Sequence, residues 1–221
     1  MNTLEEFENI LGSKKYFFHF HTVLTDGKSS VEEYFDFALS SDFETIIFCE
    51  HIRKNPSYDV RGFLKEVKEI GKRYGLDYKI GFEAKVLPGG ELDISFSVLK
   101  ELEIIGIAVH SFPDNLALYA DSLVSIFENE KLSHHIRIWV HPGRLLKKNK
   151  KLTGNIDLYR YLLSEAVKND VYIEYNLKED LPPLDILKDI KPSKIIVGFD
   201  AHSVNEAKSL NRKFAEINAI L

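Results

Sequence analysis

The chain has 221 residues, 44% of them hydrophobic, 29% charged and 12% aromatic: enough for one self-sufficient core, too little for a repeat array or a two-domain enzyme. Its 29 lysines and arginines against 34 aspartates and glutamates leave a net charge of −5, which excludes nucleic-acid binding through bulk charge. The single cysteine, Cys49, cannot form an internal disulfide, and no apolar run approaches the ~20 residues of a membrane helix.

Residues 2–11 are acidic and amphipathic and lack the basic start and apolar run of a signal peptide. The expectation is a soluble, cytoplasmic protein, without membrane association, folded as a single domain over residues 1–221. Seven apolar runs rich in β-branched and aromatic residues follow, at 16–20, 45–49, 78–82, 104–109, 136–140, 171–175 and 194–199. Between them, helical periodicity predicts helices over 31–39, 63–70, 116–127, 156–167 and 204–217. Ser30 with Glu33 marks the first of these as a capping box, Ser203 marks the last, and Pro182-Pro183 precedes a further helix start at Leu184. In the third unit, residues 86–94 carry Pro88-Gly89-Gly90, the turn chemistry of a hairpin. Strand followed by helix, repeated, implies parallel pairing, and seven such units predict one α/β barrel, a TIM-like (β/α)7 arrangement. An open doubly wound sheet is the alternative, but no Gly-x-Gly-x-x-Gly follows the first strand to support a dinucleotide site.

Six of the eight histidines stand at or just past the end of a strand run: His19, His21, His51, His110, His141 and His202. His134 and His135 precede a strand instead. Parallel strands joined by crossover helices place all their C-terminal ends on one face, so the six imidazoles converge there. Three carboxylates occupy the same kind of position: Glu83 ending the third strand, Asp200 ending the seventh, and Asp26 in the turn after the first. Period-two geometry predicts that His19 and His21 share one face, with Phe20 opposite, and that Asp200 and His202 do the same around Ala201. Imidazole plus carboxylate suits zinc, iron or manganese, and nine ligands exceed what one ion takes from protein, so two or three divalent ions are expected.

Phe18-His19-Phe20-His21-Thr22 with Asp26-Gly27, then Cys49-Glu50-His51, Gly81-Phe82-Glu83-Ala84, Ala108-Val109-His110-Ser111, Val140-His141-Pro142-Gly143 and Phe199-Asp200-Ala201-His202 resemble, in order, the motifs of the PHP (polymerase and histidinol phosphatase) superfamily. The resemblance spans residues 18–203 and implies a distorted seven-stranded barrel with a trinuclear metal site. By that analogy His19, His21, Glu83 and Asp200 hold one ion, Glu83 bridges to a second held by His110 and His141, and Asp26, His51 and His202 hold a third. Glu83, Asp200 and His202 are the expected catalytic residues. One departure is Cys49-Glu50, where many relatives carry Thr-Asp. No polymerase or other appended domain is expected, so the resemblance is to a free-standing, histidinol-phosphatase-like phosphoesterase.

Three divalent ions against three carboxylates would leave a site near +3 that favours an anionic substrate, and metal-activated water suits phosphoester hydrolysis. Arg53 after His51, and Arg144 after His141-Pro142-Gly143, are candidates for bidentate bonds to phosphate. Lys85 would share the face of Glu83 if its strand continues, and Asn176 at the end of the sixth strand run could donate an amide. The basic run Lys147-Lys148-Asn149-Lys150-Lys151 reads as a solvated loop, or as a steering patch for a polyanion. The leading expectation is therefore a phosphatase for a small phosphorylated substrate. A nuclease or nucleotide phosphodiesterase is the alternative, and a non-catalytic metal-binding regulatory module is a third reading that the complete ligand set opposes.

Overall fold

The apolar runs form the strands β1 (Tyr16–Phe18), β2 (Thr45–Ile52), β3 (Asp77–Leu87), β4 (Glu91–Leu92), β5 (Ile104–Ala108), β6 (Ile136–Trp139), β7 (Val171–Asn176) and β8 (Ile195–Gly198), in a computed structural model that describes residues 3–221. Seven pair in parallel in the order β1-β2-β3-β5-β6-β7-β8, and β4 pairs antiparallel with β3 as the expected hairpin. Between and around them lie α1 (Thr3–Ser13), α2 (Val31–Ser40), α3 (Val60–Tyr74), α4 (Phe96–Leu99), α5 (Leu116–Phe127), α6 (Arg144–Lys148), α7 (Ile156–Lys168), α8 (Leu184–Leu187) and α9 (Val204–Ile220). Strands β1, β5, β6, β7 and β8 are buried along their whole length, as parallel strands are when helices cover the sheet.

The caps act where the sequence places them. Ser30 and Glu33 make the reciprocal capping box of α2, and Ser203 accepts the Glu206 N–H at the start of α9. α1 is a helix the strand–helix pattern leaves out; it buries Phe7, Ile10 and Leu11, with Phe7 edge-on to Tyr172 at 5.0 Å. Met1 and Asn2, the first of which opens the expected domain, lie outside the described residues. No helix of the described residues is long and apolar enough to cross a membrane.

The barrel is nearly closed. β1 and β8 share no ladder, but beyond their ends Phe199 N–H donates to Phe18 O at 3.0 Å, His21 N–H to Ala201 O at 2.8 Å and Ala201 N–H to His19 O at 3.2 Å. Lower in the seam the Tyr16 hydroxyl accepts the Val197 N–H at 2.9 Å. Rings pack along it: Phe17 stacks on Phe20 at 4.5 Å and meets Phe199 edge-on at 4.9 Å.

That seam corrects the period-two expectation. His19 and Asp200 are not extended residues; their φ angles are 65° and 51°, and His141 has φ 32°. Such values cost a non-glycine residue free energy and persist only where the surroundings enforce them. The kink at His19, not strand alternation, brings its ring beside that of His21 at 5.2 Å while Phe20 stays in the core. A second correction concerns Glu83, which lies inside β3 rather than at its end, because the strand runs on to Leu87 to form the hairpin. A third concerns the basic run, whose first two lysines close the short helix α6.

Candidate metal centre

Glu83 is fully buried on β3, and five imidazoles face its carboxylate. His51 Nδ1 at 2.9 Å and the Nε2 atoms of His19 and His21 at 3.7 Å each approach Oε2. His141 Nε2 at 2.5 Å and His110 Nε2 at 3.1 Å approach Oε1. Asp200 stands beside the first group, with Oδ1 3.3 Å from His21 Nε2 and 3.8 Å from His19 Nε2. Toward solvent, Asp26 Oδ2 lies 3.5 Å from His51 Nε2 and 3.6 Å from His202 Nε2. All nine residues singled out as ligands therefore come together.

Their donor atoms form overlapping sets tight enough to hold a cation: His19, His21 and Asp200; His19, Glu83 and His141; His51, Glu83 and His110; His21, His51 and His202. Asp26 groups with His21 and Glu50. The donor chemistry fits divalent metal. Among the described residues, eight buried side-chain polar atoms lack a hydrogen-bond partner, and seven belong to this cluster: His19 Nε2, His21 Nε2, His51 Nδ1, Glu83 Oε2, His110 Nε2, His141 Nδ1 and Asp200 Oδ2. A buried polar atom without a partner costs about 1–3 kcal/mol, so such a concentration marks atoms shaped for a cation.

Two buried glutamates that sequence reasoning did not assign stand behind the ligands. Glu174 on β7 has Oε1 2.6 Å from His19 Nδ1, and its Oε2 accepts the His141 backbone N–H. Glu50 on β2 faces His21 Nδ1 at 3.3 Å and accepts the Thr22 N–H and hydroxyl at 2.7 Å, the Thr25 hydroxyl and the His51 N–H at 3.0 Å. Glu50, the acidic residue of the departing Cys49-Glu50 pair, thus braces His21 and the backbone of His51. The buried Tyr34 hydroxyl donates to His21 O at 3.0 Å, tying α2 to the seam. Carboxylates that accept the far ring N–H of a histidine fix its tautomer and orientation.

The electrostatics follow from this enclosure. Burial raises the Glu83 carboxyl, but the charge of His141 and hydrogen bonds from His110, His141 and His19 outweigh it and hold it well below the carboxylate range. Asp200 is likewise far below its ordinary value, burial being overcome by His21 and His19. Burial disfavours protonation of His21, yet Asp200 and Glu50 carry its pKa from 6.5 to about 9. His19 is raised well above its ordinary value against burial, chiefly by Glu174. His110 and His202 are lowered, first by burial. In the absence of metal, His19 and His21 hold protons that a cation would displace.

The candidate substrate contacts divide. Arg144 lies over the centre, with Nη1 3.7 Å from Asp200 Oδ2 and Nε 3.1 Å from Glu179 Oε1. With His110, Leu145, Lys147, Lys148 and Glu179 it lines a cavity of about 530 Å³. Lys85 shares the face of Glu83, and its ammonium donates to Ser111 at 2.8 Å, next to His110. Arg53 is not brought to the cluster; it donates to Ile52 O at 3.0 Å and pairs with Asp93 at 3.8 Å. Asn176 is buried and engaged, donating to Glu174 at 3.3 Å and accepting the Glu179 N–H at 2.9 Å, so its amide faces the framework rather than a substrate. Sequence reasoning missed Lys178, whose ammonium lies 3.4 Å from His202 Nδ1 and 2.9 Å from Glu206.

Comparison with known proteins agrees with this geometry. Residues 18–178 match the model of the PHP domain family. The chain is 23% identical over 209 residues to the DNA polymerase/3′-5′ exonuclease PolX of Bacillus subtilis, covering 88% of this chain but only 35% of that protein, so it spans about a third of that relative. Among solved structures, an amidohydrolase II aligns with TM-score 0.54 at 13% identity, covering 91% of this chain and 92% of the other. A two-domain Bacteroides vulgatus protein containing a PHP-like metal-dependent phosphoesterase aligns with TM-score 0.53 at 16% identity, covering 90% and 55%. These two likenesses bear on the fold alone.

Proposed function

The chain belongs to the PHP domain family, and from that premise we propose that it is a metal-dependent phosphoesterase that hydrolyses a small phosphomonoester. The observation that carries the reading is Glu83, a buried carboxylate with both oxygens facing five imidazoles, four of whose inward nitrogens have no hydrogen-bond partner. His19, His21, Glu83 and Asp200 would hold one ion, Glu83 with His110 and His141 a second, and Asp26, His51 and His202 a third. Divalent zinc, iron or manganese bound there supplies Lewis acidity and a water acidified toward neutral pH.

The chain's own groups do the rest. Arg144 and Lys178 flank Asp200 and His202 and place cationic donors where an incoming phosphoryl group would need them. Asp200, held ionised, keeps Oδ2 without a hydrogen-bond partner in the protein and 3.7 Å from Arg144, where it can accept a hydrogen bond and orient its donor. His202 is partly open to solvent, and burial and the charge of His21 lower its pKa, which favours the neutral ring that can offer Nε2 to the outer ion. The 530 Å³ cavity beside His110 suits a small leaving group.

A nuclease is the second reading, favoured by two observations: the PolX relative carries an exonuclease name, and Lys147 and Lys148 line the cavity. Against it, Lys147 pairs with Glu179 and Lys151 with Asp114, which removes much of the run's free charge. Steady-state assays with manganese or zinc on a panel of phosphomonoesters and on single-stranded oligonucleotides distinguish the two. Our reading expects phosphomonoester turnover with oligonucleotide cleavage near background, and the reverse pattern would establish the nuclease.

A further inference from the structure

Glu174 reaches the ring of one inner ligand, His19, and the backbone of another, His141. It is fully buried on β7, and three donors converge on it: His19 Nδ1 on Oε1, and the His141 N–H and Asn176 Nδ2 on Oε2. The neighbouring strand is shaped around it. Gly198 on β8 pairs with Asn176, and a Cβ built at Gly198 would lie 1.8 Å from Glu174 Oε1, so a side chain there would evict the carboxylate. His141 is also a residue whose backbone sits at positive φ, and Glu174 accepts its N–H.

We propose that Glu174 is a positioning residue that couples the two inner ion positions: one oxygen keeps the His19 ring protonated at Nδ1 with Nε2 free for metal, and the other locks the His141 backbone. The inference rests on the metal-centre reading above and adds which residue outside the ligand set holds it together. Its logic is one of acceptors. A carboxylate can serve all three donors, whereas a glutamine at 174 has one oxygen and one NH2. With its oxygen turned to His141 and Asn176, the NH2 faces His19 Nδ1, and the ring can relieve that clash by moving its proton to Nε2. The opposite orientation leaves two donors unmet instead of one, so the first is favoured. A proton on Nε2 blocks the nitrogen that His19 would give the ion shared with His21, Glu83 and Asp200, while the His141 N–H keeps its acceptor. Glu174→Gln should therefore weaken the His19 ion alone, whereas eviction of the whole carboxylate, as by Gly198→Ala, should weaken both.

The test is a competition titration of metal-free native protein, Glu174→Gln and Gly198→Ala with Zn2+ against a chromophoric chelator, alongside 15N spectra of the histidine rings. The expected result is that one equivalent weakens by at least tenfold in Glu174→Gln and two equivalents do so in Gly198→Ala, the scale seen when such supporting groups are removed. In Glu174→Gln the His19 ring should keep its Nε2 proton at Zn2+ concentrations that remove it from the native ring. Circular dichroism verifies that the variants fold; if either does not, the native spectra still decide, with His19 bearing a proton at Nδ1 and losing that of Nε2 on Zn2+ addition. Native protein that ligates through His19 Nδ1, a folded Glu174→Gln variant in which no ion weakens, or a folded Gly198→Ala variant in which one ion or none weakens, would overturn the coupling. A native protein that takes up no second ion would instead overturn the metal-centre reading itself.

Discussion

The two halves of the candidate centre are built differently. In the inner half, His19, His21, Glu83, His141 and Asp200 are at most 2% exposed, three of the five sit at or beside the barrel seam, and Glu174 and Glu50 brace their rings and backbone. In the outer half the side chains of His51, His110 and His202 are 20%, 23% and 26% exposed and that of Asp26 is 56% exposed. The inner donors are fixed before any ion arrives; the outer ones can move toward solvent and substrate. An ion in the inner half should bind tightly and exchange slowly, and one in the outer half should come and go.

The sharpest way to break this contrast is to remove inner donors. Glu83→Gln, His141→Ala and Asp200→Ala are each expected to reduce phosphomonoester turnover by on the order of 10²–10³-fold or more, because each deletes groups that stabilise developing charge. The barrel should remain folded by circular dichroism. Turnover kept within a few-fold in His141→Ala and Asp200→Ala would place the chemistry elsewhere. Outer substitutions should do less: Asp26→Ala and His202→Ala are expected to lose roughly 10–100-fold, largely restored by excess metal, as weakened affinity predicts. Activity measured across a metal series resolves the two behaviours, and equal losses with no rescue in either half would erase the distinction.

Proton and metal compete most strongly in the inner half, which gives the contrast a pH signature. His21 is raised from 6.5 to about 9, so its contribution to the stability of the metal-free protein is complete below pH 6.5 and is lost as pH rises through about 9. Glu83 and Asp200 are depressed, so theirs is present above the ordinary carboxylate range and is lost only on strong acidification. Thermal melting in chelator should show stability falling between pH 6.5 and 9, and saturating Zn2+ should abolish that fall because the proton sites become metal sites. A metal-free Tm that rises across this interval would contradict the assignment.

The smallest effect is expected at the rim of the cavity. Neutralising Lys147, Lys148, Lys150 and Lys151 together should change kcat/KM for a small phosphomonoester by no more than about threefold, since exposed and paired charges contribute little. A collapse of oligonucleotide cleavage and a flattened salt dependence in the same variant would favour the nuclease reading.

The nine converging residues were legible because strand runs and crossover helices fix where strand ends gather, whatever the details of each strand. The seam was not legible: nothing at His19 or Asp200 marks a positive φ, since both are ordinary residues held there by tertiary contacts. Glu174 left a faint signal, a single acidic residue within an otherwise apolar strand run, and Glu50 stands just past the run at 45–49; each reads as a surface position unless the barrel interior is known to be polar at that level. Arg53 and Asn176 show the converse. Their place near strand ends is as favourable as that of Arg144, but Asp93 and Glu174 engage them, and those partners become visible only in three dimensions.

Elemental analysis of the native protein, purified without chelator and then titrated with Zn2+ and Mn2+, tests the central claim most directly. A multinuclear centre built on Glu83 predicts more than one equivalent of transition metal per chain, with two bound tightly and a further one weakly. Protein that carries no metal and takes up at most one ion on titration would contradict it.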